Sequence, residues 1–234
     1  MNGSPLAADI AFQIGPVPVS VTVVTTWGIM IVLTLVCAVA TRFLAVRPNT
    51  LQAVLELFVT TTDAQVKSTL QRDPAPYRAV VGGLFLFILL ANWSSLIPSV
   101  EPPTAQLETD AALACIVFVA TLFFGIRENG ALGYLKTFAE PTWVMIPLNL
   151  VEQITRTFSL MVRLFGNVMS GVFVIGIVLS LAGLLVPIPL MALDLLTGAV
   201  QAYIFAVLAT VFIGAALGGE TGSRGAAQSS KEAN

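Results

Sequence analysis

Five long apolar runs, near residues 22–45, 79–97, 110–126, 145–181 and 188–217, constrain this chain more than any other feature of it. Crossing a bilayer takes about 20 mainly apolar residues in a helix, because lipid leaves every backbone polar group to be satisfied within the segment itself. The chain therefore reads as an all-α integral membrane protein with five membrane-crossing helices. Composition agrees: of 234 residues, 56% are hydrophobic and 10% charged, with a mean hydropathy of +0.90, where an average soluble domain carries roughly a quarter charged residues. An odd number of crossings puts the termini on opposite sides.

The placement of Lys and Arg orients the spans. Arg42, Arg47, Lys67, Arg72 and Arg78 fall in segment 42–78, Arg127 and Lys136 in 127–140, and Arg224 and Lys231 in the tail, whereas segments 1–20, 98–109 and 182–187 hold no basic residue. Basic residues accumulate on the cytoplasmic side, so the N-terminus is expected outside and the C-terminus inside, as in a multi-pass protein of a bacterial inner membrane. Residues 1–20 lack the basic region of a signal peptide, and the first span is expected to be retained. Three regions follow: an outer segment 1–20, a single membrane domain 21–217, and a polar tail 218–234 expected to be disordered.

Between the first two spans, LQAVLELFVTTTDAQVKSTL sets Leu51, Val54, Leu55, Phe58, Val59 and Val66 at helical spacing opposite Glu56, Asp63 and Lys67. That pattern suits a helix lying on the inner membrane surface. Cys37 and Cys115 lie in apolar runs and give neither a metal spacing nor a disulfide framework. There is no His, so proton chemistry falls to carboxylates, Arg, Tyr or water. No P-loop, metal-ligand spacing or nucleophile triad supports a soluble enzyme, and no cofactor, metal or nucleic-acid site is expected.

Residues 148–181 contain no proline, and a helix of that length would be about 50 Å long at about 1.5 Å per residue. The hydrocarbon core is about 30 Å thick. The final apolar run is also overlong, so the last two spans read as a slanted helical hairpin. At about 100° per residue, Asn149, Glu152, Arg156, Ser159, Arg163, Asn167 and Ser170 form one narrow stripe on the first of these helices. Glu152 and Arg156 are spaced to pair, while Arg163 has no acidic residue within one turn. On the second helix Asp194 and Gln201 share a face, with Thr197 beside it. A charge near the bilayer centre costs on the order of 3 kcal/mol and marks a functional group facing protein or water. Blander readings stand beside this one: Arg163 pairs with Asp194 and locks the hairpin, Arg156 snorkels to the inner interface, and Glu152 merely partners Arg156.

The run SLMVRLFGNVMSG, preceded by IPLNLVEQITRTF and followed by LLTGAVQAYIFAVLATVFI, resembles subunit a of F-type ATP synthases, the stationary partner of a rotating c ring. The likeness extends to QRDPAPYRAVVGGLFLFILLANWSSLIP and covers most of residues 50–217. The resemblance implies a non-catalytic, ion-translocating subunit with ATP chemistry in partner subunits. Its partners would be the c ring, the peripheral stalk b subunits and the rest of the synthase. It implies two offset half-channels, with Arg163 as the essential arginine facing the ring carboxylate and Asn167, Ser170 and Gln201 on the ion path.

Many members of that family pair an acid nine residues after the arginine with a histidine on the last helix, or the reverse; here the matching positions are Val172 and Asp194. Asp194 is expected to carry the outer relay alone, with Glu101, Glu108 or Asp110 gathering cations at the mouth. On the inner side, the family's frequent glutamate falls at Asn149, and Glu152 is expected to replace it, near Arg156. A sodium-coupled version of the same subunit is the alternative to proton coupling, because the ring would supply the ion ligands. A free-standing secondary transporter would be expected to show paired repeats and broken helices, which the sequence lacks, and a purely structural anchor would use the stripe as glue between helices.

Overall fold

The computed structural model describes residues 10–14, 17–42, 50–97, 102–139, 145–183 and 186–217. Six helices carry the architecture: α1 (Val21–Arg42), α2 (Thr50–Leu70), α3 (Ala75–Trp93), α4 (Leu107–Ala139), α5 (Met145–Ala182) and α6 (Pro187–Leu217). Five of them, all but α2, are long and apolar enough to cross a membrane. A short antiparallel hairpin, β1 (Ile10–Ile14) paired with β2 (Val17–Ser20), precedes α1. The sequence pattern did not anticipate this hairpin. The expected tail 218–234 and the first nine residues lie outside the described residues.

Helix α6 is the centre of the bundle and packs against α2, α3, α4 and α5. Its buried side is rich in small residues, Gly198, Ala202, Ala206, Ala209 and Ala216, which lets neighbouring backbones approach where lipid supplies no hydrophobic drive for association. One core cluster joins Leu84 and Ile88 of α3, Leu113 and Val117 of α4, Leu160 and Leu164 of α5 and Phe205 of α6. A second, nearer the α6 C-terminus, joins Val66 of α2, Tyr77 and Val81 of α3, Phe124 of α4 and Ile213 of α6. Helix α1 stays peripheral, with much of its apolar surface exposed for lipid.

One expectation is corrected. Segment 127–140 reads as a loop, yet α4 continues to Ala139 across a kink at Gly130, whose φ of 72° and ψ of 159° only glycine adopts freely. Helix α2 turns only part of its apolar set inward. Leu55, Phe58 and Val66 face the bundle, whereas Val54 and Val59 remain exposed, because α2 is docked along α3 and α6 by one side. The docking is polar as well as apolar: Arg78 of α3 forms a two-pronged ion pair with Asp63, and the Tyr203 hydroxyl of α6 donates to Gln65 Oε1 over 3.1 Å. Asp110, expected to gather cations at the outer mouth, is buried in the first turns of α4.

Helix α5 has 38 residues, so at about 1.5 Å per residue it is close to 57 Å long. It holds the bundle through one narrow row, Leu160, Leu164 and Val168, a turn apart and buried. Gly183, with φ of 73°, follows the α5 C-terminus, the left-handed stop that glycine supplies at helix ends. Packing α5 by one row leaves its polar stripe on an open flank facing α6.

Candidate functional site

The stripe on α5 lines two separate hollows. The first, towards the α5 N-terminus, comprises two pockets with lining residues in common. One of about 180 Å³ is lined by Tyr134, Asn149, Glu152, Gln153, Arg156 and the Ala215–Ala216 corner of α6. The other, about 560 Å³, includes Glu152, Arg156, Ser159, Arg163, Leu208 and Phe212. Glu152 and Arg156 border both parts. The second hollow, about 210 Å³, lies towards the α5 C-terminus and is lined by Asn167, Ser170, Gly171, Asp194 and Thr197 among apolar neighbours. Arg163 is the last polar residue of the first hollow, and Asn167, one helical turn later, is the first of the second.

Within the first hollow the charges are largely matched. Arg156 is ion-paired with Glu152, one turn earlier, as the spacing implies. The Arg156 guanidinium also sits 5.4 Å from the Phe212 ring centre, within cation–π range. Arg163 differs: it is exposed and has no ion pair among the described residues. The lock between Arg163 and Asp194 is therefore not formed. Sequence reasoning did not find Tyr134 and Gln153. Tyr134 reaches the hollow because the Gly130 kink redirects the end of α4, a bend that periodicity does not reveal. Burial pushes its phenol up from the ordinary tyrosine value.

In the second hollow Asp194 is half-buried and has no ion pair among the described residues. The hydroxyls of Ser170 and Thr197 donate to carbonyls of their own helices, Asn167 O at 2.8 Å and Asp194 O at 2.9 Å, leaving hydroxyl lone pairs to accept. Gln201 parts company with Asp194. It is buried on the protein side of α6 and borders neither hollow, and its amide nitrogen has no hydrogen-bond partner among the described residues. Glu108 is exposed in the first turn of α4, Glu101 lies outside the described residues, and both Asp110 carboxyl oxygens lack hydrogen-bond partners among them. Val172 is exposed.

A multi-pass membrane protein whose longest helix, α5, carries a charged stripe beside α6, with an arginine on it that has no ion pair among the described residues, fits the class that moves ions through a bilayer. Residues 23–214 match the family described as ATP synthase A chain, and the chain belongs to that family. It is 56% identical over 218 residues, 93% of this chain and 98% of the other, to ATP synthase subunit a 2 of Bradyrhizobium sp.. It is 47% identical to ATP synthase subunit a of Albidiferax ferrireducens, covering 90% and 92% of the two chains. With ATP synthase subunit a 1 of Chlorobaculum tepidum the identity is 46%, over 88% and 95%.

Proposed function

We propose that this chain is the stationary ion-translocating subunit of a rotary ATP synthase in a bacterial inner membrane, with its N-terminus outside and its C-terminus inside. It works against a ring of c subunits and is held by the peripheral stalk b subunits. The observation that carries the reading is the separation of two hollows by one turn of α5, at Arg163 and Asn167.

Each ring subunit in this scheme carries a carboxyl group that crosses lipid neutral, because a bare carboxylate in hydrocarbon is heavily penalised. Opposite Arg163 the charged form is favoured, so the carboxyl releases its proton into the hollow lined by Glu152 and Asn149, the inner exit. The guanidinium does not deprotonate in proteins. It attracts the ring carboxylate without carrying a proton, and so no proton passes directly between the hollows. Protons enter from outside through the second hollow, where Asp194 is the relay and Asn167 and Ser170 hold water, and bind the ring carboxylate after it has left Arg163. The extra length of α5 and α6, slanted across the bilayer, supplies a wall long enough to meet the ring at both hollows.

Measuring ATP-driven proton pumping in inverted membrane vesicles, with R163A and D194N made separately in the assembled synthase, tests the scheme. Both variants are expected to abolish pumping while the complex still assembles. Full pumping by R163A would overturn the scheme, and loss in R163A alone would move the outer relay away from Asp194.

A further inference from the structure

Asp194 approaches α5 at a residue with no side chain. A methyl group placed on Gly171 would lie 2.0 Å from Asp194 Oδ1, 2.9 Å from its Cγ and 3.4 Å from Oδ2. Those three are the nearest atoms such a methyl would meet, and all belong to the one carboxyl group. Glycine inside a helix is less favourable than alanine, so α5 holds Gly171 against its own propensity. Gly176, five residues on, has nothing within 4 Å of a built methyl. The close approach is therefore specific to Gly171.

We propose that Gly171 is a positioning residue for the outer relay: its missing side chain is the notch that receives the Asp194 carboxyl group and holds it in the hollow shared with Asn167, Ser170 and Thr197. This rests on the reading of Asp194 as the relay. Val172, beside the notch, brings no ionisable group, so the carboxyl has to reach α5 from α6, and aspartate is short. A receiving position with no side chain lets it arrive. Because the atoms that meet the new methyl are the free end of a side chain, Gly171→Ala is accommodated by turning the carboxyl away, not by forcing α5 and α6 apart. Regaining ordinary contact at Oδ1 needs a retreat of roughly 1.4 Å, and misplacement of about 1 Å at a reacting group costs on the order of a hundredfold.

The test compares G171A, G176A and D194N in the complete synthase, reading the amount of chain in the membrane, the rate of ATP-driven pumping and its pH profile. G171A is expected to assemble at the wild-type level, to pump about tenfold or more slowly, and to show a displaced pH profile, with G176A unchanged in all three. Wild-type rate and profile in G171A, or an equal defect in G176A, would overturn the notch. If D194N pumps normally, the relay reading itself falls and the notch with it. If D194N fails while G171A is normal, only the notch falls. Should G171A reduce the amount of chain in the membrane, the double variant G171A/D194A is expected to restore it, since the obstructing carboxyl is gone. Failure to restore it would count against the notch.

Discussion

The Asn92 side-chain amide donates to the Gly198 carbonyl over 2.9 Å, a buried bond joining the end of α3 to α6 one turn beyond Asp194. The same side chain accepts from Thr104 Oγ1 at 2.6 Å, and a methyl on Gly198 would come within 3.0 Å of Asn92 Cβ. Replacing Asn92 by alanine leaves a buried hydroxyl and a carbonyl without this partner. The loss is expected to be about 1 kcal/mol, given that polar contacts between membrane helices are worth roughly 0.6 to 2 kcal/mol, and it reads out as a lower unfolding midpoint of the detergent-purified complex. An unchanged midpoint would mean the bond is idle.

The docking of α2 gives a second prediction. Arg78 meets Asp63 with two parallel nitrogen–oxygen contacts, but the side chains are 43% and 24% exposed, so solvent screens much of the attraction. A double-mutant cycle is expected to return only a small coupling. Lysine cannot reproduce the fork, and R78K is expected to lose as much as R78A. If R78K retained the whole coupling, charge alone would be holding α2.

These two contacts mark where the sequence was readable and where it was not. The five spans follow from hydropathy alone, and the polar stripe from helical period, because both depend on residues within one segment. The Arg163 pattern then carried the family. What escaped depends on how segments meet. The period that put Asp194 and Gln201 on one face of α6 was right about angle and silent about depth, so it did not separate a residue bordering the hollow from one sealed against the bundle. Asp110 reads as an acid at the outer mouth because its burial comes from neighbouring elements, and Tyr134 gained its place from a backbone bend at Gly130.

Asp110 supplies a third prediction. Its carboxyl is buried with no hydrogen bond among the described residues, and an unpartnered buried polar group costs about 1 to 3 kcal/mol. Asp110→Leu is expected to stabilise the purified complex by about 1 kcal/mol. Costly ionisable groups inside membranes are kept for ion paths, so the same variant is expected to pump several-fold more slowly. Lower stability in the variant would show that the carboxyl has a partner holding the fold.

The last prediction concerns the inner hollow and turns on sign. Glu152 and Arg156 are ion-paired at its border, and Arg156 faces the Phe212 ring. While the pair is intact, Glu152 cancels the Arg156 charge, and Arg163 is the net charge bordering the proposed exit. Glu152→Gln leaves the Arg156 charge unmatched in a narrow, partly apolar space, where a fixed positive charge raises the barrier for a leaving proton. Removing Arg156 as well takes that unmatched charge away at the cost of one cation–π contact, about 0.5 to 1 kcal/mol at an exposed site. The double variant E152Q/R156Q is therefore expected to pump faster than E152Q alone, an interaction between neighbours that additivity does not describe. Raising ionic strength should narrow the gap between them, since salt screens the exposed charge. If Glu152 instead passes protons directly in place of the carboxylate absent at Asn149, both variants will be equally slow and salt will not separate them. Pumping rates of the two variants at low and high salt decide between a neutralising pair and a proton-carrying Glu152.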